Sequence, residues 1–139
     1  MTTQNSPVIY AEAIQYQLDS ILSPVKVYNL FNRNFNNSTP KFVTWQLRNV
    51  HQPVYTGQTQ SNKGIDRPTF QISVFAQEDA DALTISNTIL QSLHGYSGQF
   101  GGPSGFFIAK ADVYWLYNTF DDTLGLAQVI LDCTLDIPA

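Results

Sequence analysis

A single cysteine, Cys133, excludes an intramolecular disulfide framework from this 139-residue chain. It lies in the alternating run Val129, Leu131, Cys133, Leu135, Ile137, where a thiol reads as a small buried hydrophobe rather than a nucleophile or a metal ligand. Histidine is almost as scarce. His51 follows a strand-like stretch near Pro53, and His94 falls where a helix is expected to stop; neither has a partner nearby in sequence at metal-ligand spacing. No apolar run approaches the roughly 20 residues that cross a bilayer, and no basic segment leads into an apolar one at the start, so neither a spanning helix nor export by that signal is expected. Charge is sparse as well, at 13% of residues. No G-x-S-x-G motif occurs, and the adjacent Asp121 and Asp122 suit a solvated turn better than a pair of catalytic carboxylates. No enzymatic activity, cofactor or metal is expected.

What is present is a core. With 43% apolar residues, the chain can bury enough surface to fold as one domain over residues 1–139 without staples. "FQISVFAQEDADALTISNTIL", residues 70–90, shows how it is organised. Phe70, Ile72, Val74 and Ala76 alternate with Gln71, Ser73 and Gln77, the period of a strand with one buried face; Phe75 alone breaks the rule. From Ala82 the apolar positions move to Ala82, Ile85, Ile89 and Leu93, the spacing of one helical face. The intervening acids are placed to cap the helix and to meet its positive end, and Gly95 is placed to stop it.

The same reading gives a helix in "PVIYAEAIQYQLDSIL", with Pro7 in the first turn and an end before Pro24. A short strand follows in "VKVYNLF" and a polar loop in the Asn-rich "NRNFNNSTP", whose overlapping glycosylation sequons read as turn residues. "KFVTWQLRNV" alternates Val43, Trp45 and Leu47 inward, with the tryptophan in the core. "FFIAKADVYWLYN" and "LAQVILDCTLDI" form a closing hairpin around "TFDDTLG". The predicted order is α-β-β-β-α-β-β, an α+β fold with one antiparallel, or mixed, β-sheet and two helices packed on one face.

Two polar stretches lie between these elements. "GQTQSNKGID", residues 57–66, reads as a long exposed loop and a candidate assembly contact, with Gly57, Gln58 and Lys63 in it and Arg67 just beyond. "GYSGQFGGPSG" holds five of the eight glycines. It follows a helix rather than opening one, so a phosphate cradle is a poor fit and a flexible connection the better one.

Net charge is −4, unevenly spread. Residues 26–67 carry six basic side chains against Asp66 alone, a net of +5, whereas residues 68–139 carry Lys110 against eight acids, a net of −7. That pattern suits charges scattered over one surface, and equally a basic patch on one copy facing an acidic patch on the next. An acidic chain is a poor general nucleic-acid binder. The aromatics of "GFFIAKADVYW" lack the RNA-recognition pattern and read as core.

Taken together, "RPTFQISVFAQ" running into "EDADALTISNTILQSL", the preceding "KFVTWQLRNV" and the terminal "LAQVILDCTLDI" resemble the tail terminator, or tail completion, proteins of long-tailed bacteriophages. The resemblance covers nearly the whole chain and rests on patterns of apolarity; the Asn-rich loop and the Gly-rich stretch depart from it. It implies a structural virion protein of the neck and tail. Such a protein forms a homo-hexameric ring that caps the tail tube, ends its polymerisation and presents a surface for head-tail joining. Its implied partners are its own copies, the tail tube protein and a head-tail connector, with genomic DNA only passing through the central channel and no membrane. Its implied place is the virion, and the host cytoplasm during assembly. The alternatives are another head-tail connector or a tail tube component, and beyond those a small nucleic-acid-binding module or enzyme unrelated to phages.

Overall fold

The computed structural model describes residues 7–30, 41–51 and 65–138, without the side chains of His51 and Ile65. The elements are α1 (Pro7–Leu22), β1 (Lys26–Asn29), β2 (Lys41–His51), β3 (Ile65–Ala76), α2 (Asp79–Leu93), β4 (Gly98–Phe100), a single 3-10 turn (Gly102–Ser104), β5 (Phe106–Ile108), β6 (Lys110–Asp121) and β7 (Leu126–Pro138). The seven larger ones keep the predicted order. β1-β2-β3-β7-β6 form one five-stranded sheet, antiparallel except where β1 runs parallel to β2. The sheet is therefore mixed.

The core follows from two periodicities meeting. α1 buries Tyr10, Ala13, Ile14, Leu18 and Leu22, and α2 buries Ala82, Ile85, Ile89 and Leu93, each a stripe of three- and four-residue steps. Both stripes pack on one face of the sheet, on Val43, Trp45, Phe70, Ile72, Val74, Val129, Leu131 and Cys133. Full burial of one such aliphatic side chain is worth about 1.5–3 kcal/mol. Trp45 stands edge-on to Phe70 at 5.9 Å, and its Nε1 donates to Gln15 Oε1 of α1 at 2.7 Å, which satisfies the buried indole. Gln15 Nε2 in turn donates to the Val27 carbonyl on β1 at 3.0 Å. One helix side chain thus fixes two strands.

Phe75, the exception to alternation, has a partner on the opposite face. It stacks on Phe42 with ring centroids 4.9 Å apart, and Leu126 completes a second, smaller cluster. Strand pairing brings this about, because Phe42 and Phe75 are direct cross-strand partners.

The handover from β3 to α2 differs in detail from the expected cap. Glu78 is the residue before the helix and makes no side-chain bond to the first amides, while Asp79 and Asp81 lie in the first turn. The acids of the first turn meet the positive end of the helix dipole there without capping it. At the other end Gly95 adopts a φ of +80°, and its N–H donates to the Ala111 carbonyl at 2.8 Å. The chain leaves α2 directly onto β6.

The Gly-rich stretch is not a flexible connection. β4 and β5 pair with each other around the 3-10 turn, and Phe100 and Ile108 are fully buried. Its glycines permit close approach. A Cβ on Gly101, at a φ of +87°, would stand 2.6 Å from the Ala13 Cβ of α1, and the Gly101 N–H donates to Gln17 Oε1 at 3.0 Å. Spacing within the stretch is polar, so strand periodicity was invisible in three-residue strands.

Candidate assembly surface

β1 and β6 are the edges of the five-stranded sheet, and among the described residues no strand pairs with the outer side of either. The two edges differ sharply. On β6, Tyr114, Trp115, Leu116, Tyr117 and Phe120 are each 44–59% exposed, whereas Ala111 and Val113 nearer the start of the strand are buried. The expectation that the aromatics of "GFFIAKADVYW" fill the core is overturned on this strand for Tyr114 and Trp115. Leu116 is the extra residue of a β-bulge, since Trp115 pairs with Leu131 and Tyr117 with the next residue, Ile130. A bulge on an edge strand blunts further ladder formation, so this edge offers side chains rather than backbone. The sequence held a signal for it: "YWLY" puts large apolar groups on both faces of the strand, beyond what one helix-covered face requires.

Charge is distributed along one end of the sheet. The rung that begins at Lys41 continues through Ala76 and Ala127 to Phe120, and Lys26 pairs with Phe42 one step further in. Lys26 and Lys41, both exposed, therefore mark the β1–β2 corner. At the same end Asp121 and Asp122 follow Phe120, and Asp79 of α2 accepts from Asn118 Nδ2 on β6 at 2.9 Å. Glu78 and Asp81 are exposed beside it. One end thus carries a basic corner and an acidic corner.

The remaining described cations are mostly consumed internally. Arg48 pairs with Asp132, and Arg67 Nε with Asp136 Oδ1 at 3.1 Å, so two charges of the basic segment are matched by acids of the same chain. Of the proposed contact loop, Gly57, Gln58 and Lys63 lie outside the described residues. Arg67 falls on β3, held by Asp136.

The other singled-out residues have structural partners. His94 Nδ1 accepts the Val113 amide hydrogen at 3.0 Å, which places any ring proton of the neutral imidazole on Nε2, and Asp112 lies 3.6 Å away. Asp121 Oδ1 accepts from the Leu124 amide at 3.0 Å and so shapes the β6–β7 turn, as its sequence suggested. Cys133 is buried, and burial, with the charges of Asp112 and Asp132 behind it, pushes its thiol up to about 12. Among the described residues no three His, Cys, Asp or Glu side chains gather as a metal site, and no helix is long and apolar enough to cross a membrane.

The fold of this sheet and its two helices is shared with chains of a gene transfer agent virion and of a contractile injection system. A chain from the virion of a native gene transfer agent (GTA) particle is similar over 96% of this chain and 100% of its own, with a TM-score of 0.61 at 14% identity. The sheath/tube terminator of PVC, an extracellular contractile injection system, in its extended state, is similar over 99% of this chain and 58% of its own, with a TM-score of 0.57 at 10% identity. No protein-family model and no curated protein matches the chain in sequence. The resemblance drawn from the sequence holds at the level of fold.

Proposed function

We propose that this protein is a tail terminator. Six copies form a ring that caps the tail tube, ends its polymerisation and presents the surface to which the head connector joins, with DNA passing through the central channel. The protein accordingly belongs to the virion and is assembled in the host cytoplasm. The observation that carries this reading is the chain-long likeness of fold to a sheath/tube terminator. The two unlike sheet edges support it, because a closed ring built head to tail needs two different surfaces on each subunit. A cap works when one face binds the last tube ring and the other does not repeat it.

A second reading, another head-tail connector or a tube component, is favoured by the likeness to a gene transfer agent virion chain. Particles assembled without the protein separate the two. A terminator's loss leaves unattached heads and tubes of variable, often excessive length under electron microscopy, and purified protein added early restores uniform length. Uniform tails that join heads normally in its absence exclude the terminator reading.

A further inference from the structure

We infer that the partner of the exposed β6 edge is the β1 edge of a second copy of this chain, held by a lysine corner against an aspartate corner. This rests on the ring reading above and supplies its seam. Three observations converge.

The first is apolar. Tyr114, Trp115, Leu116, Tyr117 and Phe120 form a row along one edge strand, the kind of exposed patch that a soluble subunit covers by association. Across the sheet, Leu30 at the end of β1 is 56% exposed and held at a φ of +70°, with its N–H donating to the Trp45 carbonyl at 2.8 Å.

The second is register. Trp45 lies on the rung Ile72, Leu131, Trp115, and Lys26 lies on the rung Phe42, Phe75, Gln128, Thr119. The stretch from Lys26 to Asn29 on one edge therefore spans the same rungs as Thr119 to Trp115 on the other, with Leu30 one step beyond. The strand directions alternate so that β1 of one copy meets β6 of the next antiparallel. Sideways placement of two copies sets Leu30 against the aromatic row.

The third is charge. The same placement brings Lys26 and Lys41 of one copy to Asp79 and Asp122 of its neighbour. Among the described residues neither lysine has a carboxylate partner within its own chain. Because the two edges are different, the contact is heterologous and propagates until a ring closes, whereas pairing of β6 with β6 would end at a dimer and leave the β1 edge and its lysine corner uncovered. The bulge at Leu116 keeps the contact to side chains and limits indiscriminate strand addition.

Charge reversal tests the seam. One variant, Lys26→Glu with Lys41→Glu, has two acidic corners; the other, Asp79→Lys with Asp122→Lys, has two basic ones. Circular dichroism checks that each is folded, and sedimentation velocity up to millimolar protein reads association. Each variant alone is expected to associate at least about tenfold more weakly than wild type, and an equimolar mixture is expected to recover rings of alternating copies. Wild type that remains monomeric at those concentrations and binds tubes as separate copies overturns the inference. So does wild-type association of either folded variant alone, or a mixture that fails to recover. Variants that still form rings and cap tubes leave the terminator reading standing and place the seam elsewhere. Rings that follow the charge rule but leave tube length unregulated have the opposite meaning.

Discussion

Arg48 on β2 reaches across β3 to the carboxylate of Asp132 on β7. Arg67 on β3 pairs in the same sense with Asp136. The basic middle of the sequence and its acidic end are thus partly reunited inside one subunit, while the lysine and aspartate corners are not matched in this way.

Arg48→Met should destabilise the protein through Asp132. The other oxygen of that carboxylate, Oδ1, is buried without a hydrogen-bond partner, so removal of the guanidinium leaves the charge poorly compensated. Arg48 is 42% exposed, which screens the pair and holds the expected loss to about 1 kcal/mol. Urea unfolding of Arg48→Met, Asp132→Asn and the double variant measures it. The double variant should lose less than the sum of the singles; strict additivity would show that the two groups are not coupled.

Cys133 should resist thiol reagents in the folded state and react on unfolding. Its folded-state value is raised from 9.0 to about 12, so the fold favours the neutral thiol. The corresponding stability is fully present below about pH 9 and is lost as pH rises toward about 12. Labelling with a chromogenic disulfide at pH 8 with increasing urea checks this: the rate should track the unfolded fraction. Rapid labelling of native protein contradicts the burial.

Gly105→Ala should be costly. A Cβ there overlaps the carbonyl of Phe100 across the small β4–β5 sheet, and backbone cannot yield as a flexible side chain does. A loss of about 2 kcal/mol or more is expected from the displaced backbone, seen as a lower Tm. Gly125→Ala is a useful contrast: its Cβ meets nothing within 4 Å, but its φ of +70° carries a conformational cost of about 1 kcal/mol. Equal losses at the two positions would show that crowding at Gly105 is relieved.

The loop that holds Gly57, Gln58 and Lys63 remains a proposed contact with the tube or a neighbouring ring. Replacement of residues 58–63 by a short Gly-Ser linker should leave thermal unfolding nearly unchanged and reduce head-tail joining in a reconstitution assay. Undiminished joining makes the segment a spacer. Arg67→Ala should differ from it by also lowering stability, because its guanidinium is engaged by Asp136.

Hydrophobic period, a local property, was enough to place both helices, the long strands and the inward positions of Trp45, Phe70 and Cys133. A buried face repeats every two or 3.6 residues whatever it packs against. Segments shorter than a period escaped it: β4 and β5 have three residues each, and their glycines looked like slack until α1 was seen lying against them.

Partnership was decided only in three dimensions. The pattern of "YWLY" signals large apolar groups on both faces of its strand but not whether that strand is central or at an edge; the order β1-β2-β3-β7-β6 settles it by putting β6 outermost. Net charge by segment was likewise legible, but which charges cancel within the subunit depends on strands distant in sequence becoming neighbours across a sheet. Local pattern fixes which side of an element is buried, and long-range pairing fixes which surfaces are left over for another molecule.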